Sequence, residues 1–357
     1  MSKKTVLCAM SGGVDSAVAA YLLKEQGYNV IGITMKTWTS AKPTQERSCC
    51  GIDDVSDARR VAAQLDIPYM ALDMQEVFDR TVIDNFSSEY LKGRTPNPCI
   101  VCNYKLKFGY LMEKADELGA DLVATGHYAQ IKQRDGRYCI VRGEDEAKDQ
   151  SYVLYNLTQD QLSRILFPLS EYEKTQIREI AAAQGFKRVA NKPDSVEICF
   201  VDKDYRDFLK KSVPEQIKKA RYVSKTGEDL GESPGVAMVT VGQRKGLGVH
   251  FQEKTYVTEI NAQENKVVLG SREDLKRTTM LVNRVNWVSM FEPEEQFHAQ
   301  VKIRYQHTPS QARVIPMPDN QLKVVFDEPQ EQIAPGQSAV FYDGEFVLAG
   351  GLIERCL

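Results

Sequence analysis

Short apolar runs alternate with amphipathic stretches over the first two hundred residues. Thr5 to Met10 is a β-branched, apolar run of the length of a buried strand. Ala17, Val18, Ala20, Tyr21, Leu22 and Leu23 then recur at helical spacing, and Gly27 closes the helix. A second strand is predicted over 29–35, a helix from Asp53 to Leu65, a strand over 67–72 and helical patterns at 77–90 and 108–118. Gly93 and Thr95-Pro96-Asn97-Pro98 separate those last two, because proline cannot continue a helix. Residues 121–126 form a further strand, and Asp135-Gly136 centres a hairpin spanning 128–141. Ser170 with Glu173 predicts a capping box for a helix over 174–184. This alternation predicts an α/β fold, a parallel doubly wound sheet with helices on both faces.

The pattern changes after Phe200. Asp204 to Arg221 reads as a lysine-rich helix, and from about Gly235 short strands alternate with turn signals, including a two-residue hairpin at Asp343-Gly344. Two small barrels are expected there, with a seam near 272–279. The expected domains are 1–203, 204–278 and 279–357.

At 357 residues, with 27% charged residues and a net charge of −3, the composition is that of an ordinary globular chain. Nucleic-acid binding would therefore depend on local basic patches such as 210–225, although a lysine-rich helix is more often a solvated face. The run behind the basic N-terminus is too short for a signal peptide and no run reaches membrane-spanning length, so a cytoplasmic location and no membrane partner are expected. Eight cysteines in such a chain read as thiols, ligands or catalytic groups before structural disulfides. Core packing suffices for Cys8, Cys139 and Cys356; the adjacent Cys49 and Cys50 are spaced badly for joint chelation and stay unassigned.

Between the first strand and its helix lies Ser11-Gly12-Gly13-Val14-Asp15-Ser16. Strand, glycine turn and helix aim unpaired N–H groups and the positive end of a helix dipole at an anion. The hydroxyls of Ser11 and Ser16 add donors, and Asp15 is suited to Mg2+. No Lys-Ser/Thr closes the loop and no third glycine follows, which excludes a Walker A and a dinucleotide fingerprint. The six residues resemble the pyrophosphatase loop of enzymes that split ATP into AMP and pyrophosphate.

Cys99-Ile100-Val101-Cys102 is read as a loop entering a helix near Asn103, where the helix end and Lys105 and Lys107 favour thiolates. Alone, one such pair is weak evidence for a metal site. Taken with Met10–Ser16, Cys49-Cys50, Asp53-Asp54-Val55, Asp57-Ala58-Arg59, Gly93–Pro98, Cys102-Asn103 and Lys107-Phe108, the chain resembles the tRNA-specific 2-thiouridylases. Matches continue at Ala124–Tyr128, Lys148–Tyr152, Lys192–Ser195, Ile198-Cys199-Phe200, Gly242–Gly248 and Arg304-Tyr305.

That resemblance implies ATP binding by Ala9, Met10, Ser11, Gly12, Gly13, Val14, Asp15, Ser16, Met35 and Gly126. It implies tRNA contacts at Asn97, Pro98, Cys99, His127, Lys148, Asp149, Gln150, Arg304, Tyr305 and Gln337. Adenylation of a uracil carbonyl oxygen would be followed by sulfur transfer, with Asp15, Cys102 and Cys199 catalytic and a sulfur-relay protein loading a persulfide on Cys199. Many family members carry aspartate where this chain has Cys99. Cys99, Cys102 and Cys199 therefore also suit a 4Fe-4S cluster with one open iron, and both sulfur routes stand. Two other classes are weighed as well: a non-catalytic, nucleotide-gated tRNA-binding protein, and a pyrophosphatase-loop ligase acting on a small molecule.

Overall fold

The computed structural model describes residues 3–37, 52–194, 198–248 and 253–357. Cys49, Cys50 and the stretch 195–197 lie outside them.

Contacts divide the chain into two units: 1–82 with 99–201 and 345–347, and 83–98 with 202–344 and 348–357. The first unit holds strands β1 (Thr5–Ala9), β2 (Asn29–Lys36), β3 (Tyr69–Asp73), β4 (Leu122–Ala124), β5 (Ala129–Arg134), β6 (Arg137–Arg142) and β7 (Ile165–Leu166). Its sheet has the order β3-β2-β1-β4-β7, and every pairing in it is parallel. Because β2 and β4 flank β1 on opposite sides, the chain reverses its winding at β1. In an open parallel sheet that is where ligands bind, beyond the carboxyl ends of the strands.

Helix α1 (Val14–Glu25) follows β1 across the glycine loop, and eight of its twelve residues are buried. Its alanines and valines form one apolar cluster with Val6, Cys8 and Met10 and with Ile177 and Ala181 of helix α3 (Lys174–Ala183). Helix α2 (Ile52–Gln64) adds Ala58, Val61 and Ala62 to the same cluster. Cys8 is packing material, and burial pushes its thiol up to about 12. β5 and β6 form the predicted hairpin, with Asp135 and Gly136 both at positive φ as a type I′ turn requires.

Three local expectations are corrected. The capping box of α3 is made by Glu173 and Gln176, not Ser170. The helix expected over 204–221 ends at Ser212, because Pro214 has no N–H to continue it; a strand begins at Ala220. Cys99 and Cys102 are not in a loop: Pro98–Val101 is already helical and runs into a π-helix over Cys102–Tyr110.

In the second unit, strands at Ala220–Ser224, Asp229–Ser233, Tyr256–Asn261 and Lys266–Gly270 form a four-stranded sheet. Among the described residues it does not close into the expected barrel. Its 220–224 and 266–270 strands pair in parallel, so the segment is no simple meander. The last six strands do close. Lys276–Trp287 pairs with both Gln321–Glu331 and Phe346–Cys356, completing an antiparallel barrel around Met280, Val301, Val314, Val324, Phe341 and Ile353. Within the basic 210–225 stretch, Lys219 pairs with Glu232 at 2.6 Å, Lys225 with Asp274 at 2.6 Å, and Arg221 with Asp229.

Candidate nucleotide and sulfur-transfer site

The glycine loop occupies the carboxyl end of β1, at the switch point. Ser16 ties it internally, accepting from the Ser11 N–H at 3.1 Å and donating to the Gly13 carbonyl at 3.1 Å. Gly12 sits at φ +78°, and a Cβ there would lie 2.7 Å from the Asp54 carbonyl carbon and overlap its oxygen. Gly13 is extended, and a Cβ on it would meet only the Ser11 hydroxyl, at 3.6 Å. Gly126, just past β4, packs on the start of α1, where an added Cβ would be 2.9 Å from the Asp15 carbonyl carbon. Two of the three glycines are therefore demanded by the fold, while Gly13 leaves open space for an incoming group. Met35, at the end of β2, is buried beside the same edge.

Asp15 points into a network that periodicity did not reveal. Both its oxygens accept from the Lys174 ammonium at 2.8 Å, and Tyr128 donates its hydroxyl to Oδ1 at 2.6 Å. Lys174 also pairs with Asp194 at 2.9 Å. Asp194 in turn takes Lys148 at 2.7 Å and Arg178 at 2.8 Å. Partial burial alone would raise the Asp194 pKa; hydrogen bonds from Lys148 and Lys174 outweigh it and bring the carboxyl down to about 2. An ammonium already seated between two carboxylates shows that the Asp15 oxygens suit a cation. A second lysine, Lys192, reaches the loop from the same segment, donating to the Gly12 carbonyl at 3.1 Å and to Asp54 at 2.7 Å.

The residues expected to touch tRNA divide between the units. In the first, Lys148 holds Asp194, while Asp149 is buried and accepts from the N–H groups of Gly143 and Ser151 at 3.3 and 3.0 Å. Gln150 brackets Tyr128, exchanging bonds with its N–H and carbonyl at 3.0 and 2.8 Å. His127 is buried between Phe108 and Phe167, with Nδ1 2.7 Å from the Thr125 hydroxyl. Burial, reinforced by the nearby Lys107 charge, holds its pKa well below the usual imidazole range. These four thus brace the nucleotide edge of the sheet.

In the second unit, the Thr95 N–H donates to the Pro335 carbonyl at 2.7 Å, and Gly336 at φ +93° lets the chains touch. That contact joins the segment that leads to Asn97 and Pro98 with the one that leads to Gln337. Arg304 reaches the Glu331 carbonyl at 3.4 Å, and Tyr305 is exposed, with the Lys302 ammonium 5.5 Å from its ring centre.

Cys99 is exposed and Cys102 half-buried, three residues apart on one helical face. Cys199 is half-buried next to Phe200, whose ring meets Phe78 edge-on at 5.7 Å. The helix of Phe78 (Gln75–Phe78) packs against the π-helix that begins at Cys102, so both thiol-bearing segments lie on the same side of this unit. Among the described residues, no three His, Cys, Asp or Glu side chains converge as a metal-holding group. The donor set of a cluster on Cys99, Cys102 and Cys199 is thus not assembled, and no step is derived through one.

Family models match along the chain as a tRNA methyl transferase HUP domain over 4–203, a tRNA methyl transferase PRC-barrel domain over 206–271 and an aminomethyltransferase beta-barrel domain over 277–353. The chain is 49% identical to tRNA-specific 2-thiouridylase MnmA of Clostridium beijerinckii, covering 99% of this chain and 100% of that protein. It is 48% identical to the protein of the same name from Clostridium botulinum strain Alaska E43, covering 100% and 99%. Among solved structures, a 4-thiouridine synthetase–RNA complex with bound ATP aligns with a TM-score of 0.39 and 19% identity, over 60% of this chain and 51% of that one. Among the described residues, no helix is long and apolar enough to cross a membrane.

Proposed function

The chain belongs to the tRNA-specific 2-thiouridylase family, and on that footing we propose that it carries out ATP-dependent 2-thiolation of the wobble uridine of tRNA in the cytoplasm. The observation that carries the proposal is the glycine loop at the switch point of a parallel sheet, in a chain that matches 2-thiouridylases over its whole length.

In the first half-reaction the loop from Ala9 to Ser16, with Met35 and Gly126, binds ATP. The N–H groups at the start of α1 receive the phosphates, and Asp15 is the residue that would hold Mg2+. When bound, the metal ion offsets charge on the triphosphate. The uracil 2-carbonyl oxygen attacks the α-phosphorus and pyrophosphate leaves. Adenylation converts a carbonyl oxygen, a poor leaving group, into AMP.

In the second half-reaction Cys199 carries a persulfide loaded by a sulfur-relay protein. Its terminal sulfur bonds to C2 of the ring and AMP departs. Cys102 then attacks the Cys199 sulfur, forming a Cys102–Cys199 disulfide and leaving the 2-thio group on the base; a thiol reductant resets the pair. The segment 1–203, most of which lies in the first unit, is the catalytic part. The segments 204–278 and 279–357 hold tRNA, with Asn97, Pro98, Gln337, Arg304 and Tyr305 along the path of the RNA.

The test uses purified protein, transcribed tRNA, ATP and a persulfide donor. Cys102→Ser and Cys199→Ser should each abolish thiolated product yet release pyrophosphate in a tRNA-dependent way. Product from either variant at the wild-type rate overturns the sulfur route, and pyrophosphate release that ignores tRNA overturns the adenylation step.

A further inference from the structure

Lys192 lies 180 residues from the glycine loop in sequence, yet its ammonium donates to the carbonyl of Gly12 at 3.1 Å. Its remaining contacts go to Asp54 Oδ1 at 2.7 Å and Asp57 Oδ2 at 2.6 Å, both on α2. The ammonium is thus held by two hydrogen bonds, to Gly12 and Asp54, and by an ion pair to Asp57. Asp57 is buried and also pairs with Arg188 at 2.8 Å, so the place of Lys192 is set by groups outside the loop.

The anchored group is a peptide between two glycines. Glycine pairs have little steric preference, so this peptide plane would rotate readily if nothing held it. The bond is trans, as are all those described, and across a trans peptide the C=O and the following N–H point in opposite directions. Holding the Gly12 oxygen toward α2 therefore turns the Gly13 N–H away from α2. On that side a Cβ at Gly13 would meet little, which is the open space described above. Were the plane reversed, a carbonyl dipole would replace an N–H donor in front of an incoming anion.

We propose that Lys192 is a positioning residue for adenylation, fixing the Gly12–Gly13 peptide so that its N–H faces the triphosphate. The proposal rests on the ATP reading of the loop. Lys192 touches no reacting atom; it acts through the backbone it holds. Its carboxylate neighbours outweigh partial burial and raise its pKa, so the anchor keeps its charge across the neutral range.

The experiment titrates ATP, and separately inorganic pyrophosphate, into full-length protein labelled with 15N-glycine. Calorimetry reads affinity, and the Gly13 amide reads the loop. In the wild type, pyrophosphate should move the Gly13 amide proton downfield. In Lys192→Met that shift should vanish and ATP should bind about ten- to a hundredfold more weakly, the worth of a hydrogen bond to a charged group. Lys192→Arg should restore most of both. A purely structural role would lower the melting temperature and leave the Gly13 shift intact in the folded fraction, which overturns the proposal, as does ATP affinity within about twofold of wild type. If Lys192→Met does not fold, Asp54→Asn removes one support and keeps the Gly12 contact. A smaller change of the same sign then sustains the proposal, and none defeats it. Wild-type protein whose loop glycines ignore ATP would refute the ATP reading instead.

Discussion

Replacing Gly12 with alanine tests how rigidly the loop is built. Gly12 sits at φ +78°, where a side chain costs about 1–2 kcal/mol. The new Cβ would also lie 2.7 Å from the Asp54 carbonyl carbon and 2.8 Å from its Cα. These are backbone atoms in the first turn of α2, so no side-chain rotation relieves the overlap. Overpacking of this kind costs roughly 1–3 kcal/mol. Taking about 3 kcal/mol in all, and 2–4 °C per kcal/mol for a unit of this size, the melting temperature should fall by about 6–12 °C. Gly13→Ala is the internal comparison. Its φ of −96° is open to any residue and its nearest neighbour is a hydroxyl at 3.6 Å, so stability should stay within about 0.5 kcal/mol. Its methyl group would instead stand where phosphate approaches, and ATP affinity should drop. Scanning calorimetry and ATP titration on both variants separate the two effects. A Gly12→Ala protein that melts with the wild type, or a Gly13→Ala protein that binds ATP normally, would refute this reasoning.

Two further outcomes follow from protonation. The Asp194 carboxyl titrates at about 2 in the folded protein against about 3.9 unfolded, so its stabilising effect is complete above pH 4 and is lost as pH falls toward 2. Melting curves of Asp194→Asn should therefore slope less with pH between about 4 and 2 than those of the wild type, and parallel slopes would count against the network. His127 is buried neutral, so below about pH 6.5 the unfolded chain takes up a proton that the folded chain refuses, and stability falls with pH. His127→Gln should flatten the wild-type decline between about pH 7 and 5, and an imidazole shift in NMR titrating near 6.5 would contradict the burial argument.

The parallel sheet, the hairpin at Asp135-Gly136 and the loop after β1 were legible because each is written in local spacing: apolar runs, a turn dipeptide, glycines between strand and helix. The partners of that loop were not. Lys174 and Lys192 sit 159 and 180 residues from the groups they hold; Lys192 lies in a segment that matches the family, but neither spacing nor periodicity pairs either lysine with the loop. Tyr128 was legible only as the start of a hairpin; packing turns its hydroxyl to Asp15, and Gln150 accepts from its N–H. Cys102 was misplaced in a loop because Pro98 reads as a helix breaker. At the first helical position its missing N–H costs nothing, and the helix starts there. In the second unit the strands were legible, but the parallel pairing between 220–224 and 266–270 is a non-local choice that periodicity cannot display.

The distance in sequence between the loop and Lys192 also sets a schedule. A ribosome adding about 5–20 residues per second releases the first strand and its glycines early, and needs roughly 9–36 s more to reach the lysine that orients them. Through most of that interval the nascent chain carries Asp15 without its counter-charge, and through all of it a glycine pair without its tether. Competence to hold a nucleotide thus arrives only past the midpoint of synthesis, once translation has passed Asp194, although the residues that define the site are among the first made.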